Sequence, residues 1–179
     1  MENSCIIQSY SFIIQLFIQK KKKKGGKYMQ AHEIMVSQVH KVKEDDTVRA
    51  AIEKFIEHRI SGLPVVNDRN EIVAFISDGD ILRYIGKHED RIVDNFYYTF
   101  VIKGDEDKFE DREQRLLQLN VLEIAKKKVI KVSWDVEMET IAAVLGKKQI
   151  KKVPVERNGV LVGIISRGDV IRNSFKSLF

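Results

Sequence analysis

Apolar residues recur along this chain with helical and strand periods, and the same succession occurs twice. Val48, Ala51, Ile52, Phe55 and Ile56 fall at i, i+3, i+4, i+7 and i+8, the stripe of an amphipathic helix. A short apolar strand, Val39–Val42, precedes it, and Asp45 is a candidate N-cap. A proline-led apolar run, Leu63–Val66, follows as a strand. Polar Asn67–Asn70 form a turn, Ile72–Ser77 a second strand, and a last helix runs from Ser77 to about Tyr84. The succession then repeats. Val129–Val132 form a strand and Asp135 a candidate cap, and Met138, Ile141, Ala142 and Leu145 form a helical stripe. Val153–Val155 and Leu161–Ser166 are strands joined through Arg157–Asn158–Gly159, and a helix ends near Phe175. Asn-Gly is a hairpin signal because both residues tolerate positive φ.

A shift of 90 residues sets Val39–Val42 on Val129–Val132 and Ile60–Val65 on Ile150–Val155; a shift of 89 sets Ser77–Arg83 on Ser166–Arg172. Both prolines, Pro64 and Pro154, occupy equivalent points. Each copy is a β-α-β-β-α unit with one apolar sheet face, so the pattern predicts an α/β protein whose two copies pack sheet to sheet about a pseudo-two-fold axis. The organisation expected is a first repeat at 29–87, a connector at 88–120 and a second repeat at 121–179.

The order G-L-P-V-V then S-x-G-D, met in both halves, resembles the CBS domain, and the tandem pair resembles the regulatory unit called a Bateman module. The resemblance spans about 115 of the 179 residues. The second copy departs from it, with Lys151–Lys152–Val153–Pro154 where the first has Ser61–Gly62–Leu63–Pro64. The resemblance implies an adenosine-containing ligand held in a cleft between the repeats, with Asp80 and Asp169 accepting from ribose hydroxyls. A carboxylate suits that task because it only accepts hydrogen bonds and can take both hydroxyls. Ser77 and Ser166 stand within reach of sugar or phosphate, at helix N-termini that favour an anion. S-x-x-D is equally a capping box, in which the serine caps the helix and the acid reaches back; the two roles can coexist.

By the same resemblance Lys151 and Lys152 meet phosphate, as do Arg83 and Arg172 more weakly; as isolated residues all four read as solvated surface charge. The lysine pair in place of Ser-Gly makes the two clefts inequivalent. Pro64, Pro154 and Gly62 are candidate ligand contacts beside the cleft, and the prolines read equally as setting strand entry. Ala51 and Val73, with Ile141 and Val162, match positions that line an adenine pocket in similar modules, and read equally well as ordinary core.

Composition narrows the function further. The formal net charge of +5 comes from the N-terminus: Met1 to Tyr28 hold six Lys and one Glu, which leaves 25 basic and 25 acidic residues in the body. A neutral body disfavours nucleic-acid binding. The apolar stretch Cys5–Gln19 is short for a membrane span and precedes its lysines, the reverse of a secretory signal. Lys23 to Met29 back-translate into a purine-rich ribosome-binding stretch followed by a start codon, so residues 1–28 are expected to be translated upstream sequence and Met29 the true start. A single cysteine excludes an internal disulfide and fits a reducing, cytoplasmic setting. His32, His40, His58 and His88 are scattered without metal-ligand spacing, and no nucleophile motif or phosphate-binding glycine loop occurs. No catalysis and no required cofactor are expected.

The connector, Gly86–Asn120, carries an aromatic cluster (Asn95–Val101) and a helix implied by Phe109, Leu116, Leu117 and Leu119. It serves either as extra packing on the module or as a partner surface. The expectation is a homodimeric, non-catalytic module that senses an adenine nucleotide (AMP, ADP or ATP first) and signals occupancy to an unidentified protein. S-adenosylmethionine, NAD and cyclic di-AMP stay open as ligands. The other classes are a ligand-free dimerisation or adaptor module and a membrane-tethered regulator.

Overall fold

The structure is a computed structural model that describes residues 29–89, 91–104 and 106–179; the readings made of residues 1–28 lie outside the described residues. Each half is a three-stranded sheet. In the first, β1 (Val42–Lys43), β2 (Gly62–Val66) and β3 (Ile72–Ser77) pack with α2 (Val48–His58) and α3 (Asp78–Ile85). In the second, β6 (Val132–Ser133), β7 (Lys152–Arg157) and β8 (Val160–Ser166) pack with α6 (Met138–Lys147) and α7 (Arg167–Phe175). The outer strand runs parallel to the central one, and the hairpin strands run antiparallel. Asn158 at φ 53° and Gly159 at φ 83° close the second hairpin, which is the positive-φ pair an Asn-Gly turn requires.

The first strand of each copy is shorter than the apolar run. Val42 pairs with Val65 and Lys43 with Val66; one step further along a parallel ladder stands Pro64, which has no N–H to donate. Pro154 stops the equivalent ladder, where Val132 pairs with Val155. The prolines thus set the length of the neighbouring strand.

Asp45 and Asp135 are not the helix caps. The N-cap positions are Thr47 and Glu137. In the preceding turns the Asp46 carboxylate accepts from the Lys43 amide at 2.7 Å, and Asp135 accepts from the Ser133 hydroxyl at 2.5 Å. Ile56 also departs from expectation: it closes the stripe of α2 but is 74% exposed, and Ala142 is exposed on α6. Only the Val48–Ala51 and Ile141–Leu145 edges of the two stripes are fully buried.

The repeats exchange their leading segments. Helix α1 (Ala31–Ile34), at the start of the first repeat, packs into the core of the second, with Ile141, Val153 and Ile165. Its Ala31 amide donates to Val136 O at 2.8 Å, and His32 lies against the Trp134 ring with centroids 4.9 Å apart. Helix α5 (Val121–Ile124), at the start of the second repeat, packs into the core of the first, with Val48, Leu63 and Ile76. The edges of β3 and β8 are covered in matching fashion: Phe75 exchanges both backbone hydrogen bonds with Lys126, and Ile164 both with Val36. Sheet edges that would otherwise offer unpaired backbone groups are thereby closed.

The two parts of the connector pack differently. Helix α4 (Phe109–Gln118) buries Leu116 in the first core. The hairpin β4 (Arg91–Asn95) and β5 (Tyr98–Ile102) instead turns its aromatics outward, with Tyr97 88% exposed.

Candidate functional site

A cleft of about 430 Å³ lies between the repeats on the Asp80 side. Its first wall is Ser61, Gly62, Ser77 and Gly79, at the start of β2 and the β3–α3 junction. Its second wall comes from the other repeat: Lys126, Lys128, Val129 and Ile130 ahead of β6, and Gln149, Ile150, Lys151, Lys152 and Pro154 at the entry to β7 and on it. Phe75 and Ile130 give it apolar surface, while Lys126, Lys128, Lys151, Lys152 and Arg83 make it basic.

Gly62 and Lys152, equivalent in the two copies, face each other: the Lys152 ammonium donates to the Gly62 carbonyl at 3.3 Å. A Cβ on residue 62 would lie 2.9 Å from the Phe75 ring and 3.1 Å from the Ile76 carbonyl, so the first copy has no room there for a side chain. Lys152 is half-buried, and its pKa is lowered by that burial, against the pull of Asp78 and Asp169. Lys151 is exposed and donates to Asp78 Oδ2 at 2.9 Å, which holds the Asp78 carboxyl below its usual range. Both lysines of the second repeat therefore reach into the cleft of the first.

Ser77 and Ser166 begin α3 and α7 with capping boxes. Asp80 Oδ2 accepts from the Ser77 amide at 2.9 Å and its hydroxyl at 2.5 Å, while Oδ1 accepts from Arg83, and Lys126 stands 3.9 Å away. The Asp169 carboxylate accepts from the Ser166 amide at 2.8 Å, the Ser166 hydroxyl at 2.6 Å and Arg172 at 2.6 Å. Burial resists ionisation of Asp169, but Ser166 and Arg172 outweigh it and its pKa is lowered. The capping role is thus present in both copies. Asp80→Ala or Asp169→Ala is expected to lower stability by about 1–2 kcal/mol without any ligand, read from urea unfolding; an unchanged midpoint in both variants would refute the capping role.

The structure brings Gly62, Ser77, Arg83, Lys151, Lys152 and Pro154 to one cleft. Asp80 lies buried beneath Arg83. Pro64 is buried in mid-strand opposite Phe75. Ala51 and Ile141 are fully buried in the two cores, and the partly buried Val73 and Val162 pack against them; none of the four is among the residues that line this cleft. Ser166, Asp169 and Arg172 form the equivalent constellation in the other repeat. Lys126 and Lys128 were missed in sequence because they stand in a plain lysine run; only the exchange of leading segments carries them to the cleft. Among the described residues no group of His, Cys, Asp and Glu is arranged to hold a metal, and no helix is long and apolar enough to cross a membrane.

The profile of the CBS domain matches residues 31–87 and 121–176. The chain belongs to the CBS domain family. Its two CBS repeats form a tandem pair, as expected from sequence. It is 28% identical over 155 residues to MJ1426 of Methanocaldococcus jannaschii, an uncharacterised protein, covering 82% of this chain and 92% of that one. The solved CBS structures most useful for comparison share the fold at lower identity. CBSX2 of Arabidopsis thaliana, solved in complex with AMP, superposes with a TM-score of 0.63 at 22% identity, over 84% of this chain and 98% of that one. The CBS pair of protein MJ0100, solved with 5'-methylthioadenosine and S-adenosylmethionine, gives 0.60 at 19% identity, over 84% and 99%.

Proposed function

We propose that this CBS pair is a regulatory module that binds an adenine nucleotide in the cleft between its repeats and passes occupancy to a partner protein by a change of shape. The observation that carries this reading is the cleft itself: apolar Phe75 and Ile130 beside four lysines and Arg83, drawn from both repeats. An adenine ring suits the apolar patch, and phosphate suits the basic rim. AMP and methylthioadenosine in the CBS neighbours favour an adenosine ligand. Asp80 and Asp169 serve as ribose acceptors in addition to capping, since a carboxylate has about four acceptor positions. A ligand that touches both repeats favours one relative arrangement, and a conformation shifts only by such differential affinity.

The test is thermal unfolding of the full chain against AMP, ADP, ATP, S-adenosylmethionine, NAD and cyclic di-AMP. A ligand at 100 times its Kd adds about 2.7 kcal/mol, a rise of roughly 5–10 °C for a chain of this size. A selective rise supports the reading and names the ligand. No rise with any of them at millimolar concentration overturns it. Asp80→Ala and Asp169→Ala then test the ribose roles: if neither weakens the affinity, those roles are wrong.

An adaptor function without ligand is the second reading. The outward-facing aromatics of the β4–β5 hairpin favour it, because aromatic residues concentrate at protein interfaces.

A further inference from the structure

A second cavity, about 410 Å³, lies between α3 and the connector helix α4. It lies outside the repeat-to-repeat cleft but touches it, since Arg83 lines both. Three guanidinium groups converge on it: Arg83 from the first repeat, and Arg112 and Arg115 from α4. Two carboxylates also line it, and both are already engaged, Asp80 with Arg83 and Asp107 with Arg115 at 2.9 Å.

Arg112 is the exception. Only 7% of it is exposed. Its Nε donates to the Ile85 carbonyl at 3.0 Å and its Nη1 to the Asp107 carbonyl at 2.5 Å. Both partners are neutral, and among the ion pairs of the described residues none includes Arg112. Buried cations are ordinarily paired with an anion. Lys126, which lines the neighbouring cleft, stands 3.9 Å from Asp80 and adds a positive charge on that side. Among the described residues the result is a partly enclosed space with excess positive charge and planar donors suited to a tetrahedral oxyanion.

We propose that this cavity is a phosphate-binding site assembled by the connector, with Arg112 and Arg115 as its donors and Arg83 as its junction with the nucleotide cleft. The ligand chemistry is a phosphate group, either the phosphate chain of a nucleotide whose adenosine lies in the cleft or a free phosphate anion. The first source rests on the function proposed above; the second does not. Occupancy draws Arg83 toward the ligand and away from Asp80, so the site communicates with the cleft through one side chain.

Calorimetric titration of the full chain with pyrophosphate, AMP, ADP and ATP at constant ionic strength tests it. The variants are Arg115→Gln, whose side chain is more than half exposed, so that its loss is expected to leave the fold intact, and Arg69→Gln, which removes an equal charge at the β2–β3 turn. Pyrophosphate is expected to bind, to lose about tenfold in Arg115→Gln, the effect of one charged hydrogen bond, and to stay within about twofold in Arg69→Gln. If ADP and ATP also lose about tenfold while AMP does not, the phosphate source is the nucleotide. Loss confined to pyrophosphate identifies a free anion. If pyrophosphate binds and no adenine nucleotide does, the phosphate site stands and the nucleotide function falls. Equal pyrophosphate affinity in wild type and Arg115→Gln, or no pyrophosphate binding at millimolar concentration, overturns the site.

Discussion

Val121→Asp is expected to unfold the first CBS repeat, although Val121 opens the second. Val121 is fully buried among Val42, Leu63 and Ile76, and its amide donates to the Asp46 carbonyl at 2.9 Å. A carboxylate there has no cation beside it, and burying an unpaired charge costs several kcal/mol even after relaxation. The total stability of a domain is about 5–15 kcal/mol, so this one change removes most of it. The neighbouring connections fail with it: Leu119 O accepts from the Val48 amide and the Asn120 side chain donates to Glu44 O, both across the same junction. Lys127→Asp, six positions along and exposed, reverses a charge and is expected to stay within about 0.5 kcal/mol. Urea unfolding followed by backbone NMR distinguishes the repeats. Signals of β2 and β3 should collapse first in Val121→Asp. A midpoint equal to that of Lys127→Asp would mean that α5 does not belong to the first core.

That exchange marks where the sequence stops being informative. Periodicity finds an amphipathic segment but does not say which apolar face receives it. The repeat alignment pairs Glu33–Ile34 with Glu123–Ile124 and is silent on whether each packs on its own copy or the other. The consequence reaches the site, because Lys126 and Lys128 enter the cleft only through α5 crossing over. Other elements were legible because the signal was local. Ile72–Ser77 is a strand with those bounds, since its alternation and its Ser-led helix start are both written in a few residues. The Asn158–Gly159 turn is likewise local chemistry. The mistaken caps at Asp45 and Asp135 have a similar origin: an acid near a helix start can serve the turn before it as readily as the helix. The lysine pair was legible as an asymmetry between copies. Its target, the Gly62 carbonyl and the Asp78 carboxylate of the opposite repeat, follows from the pseudo-two-fold arrangement and not from the residues themselves.

Lys152→Met is expected to weaken nucleotide binding strongly while leaving the fold intact or firmer. The two effects have one physical cause. The Lys152 ammonium is half-buried, holds a single long hydrogen bond at 3.3 Å to Gly62 O, and has a pKa lowered chiefly by desolvation. A lowered lysine pKa means that folding disfavours the charged form. Between the folded pKa and the usual value near 10.5 the unfolded chain binds more protons, so this group makes stability rise with pH there. Below that window the destabilisation is fully present, and methionine, which fills similar volume without charge, relieves it. On the proposed function, an anion in the cleft supplies the counter-charge that the Lys152 ammonium lacks. Binding of a phosphate should therefore raise the Lys152 pKa and be accompanied by proton uptake at pH values between the unliganded and liganded pKa of that ammonium. One charged hydrogen bond to phosphate contributes about 1.5–3 kcal/mol, so Lys152→Met should weaken the ligand by roughly 10- to 100-fold. Lys151→Met, at an exposed residue whose partner Asp78 lies on the surface of the cleft, should weaken it less. Calorimetry in two buffers of different ionisation enthalpy measures both the affinity and the proton count. Unchanged affinity in Lys152→Met, or a loss no greater than that of Lys151→Met, would place the phosphate elsewhere in the cleft and free Lys152 of any part in holding it.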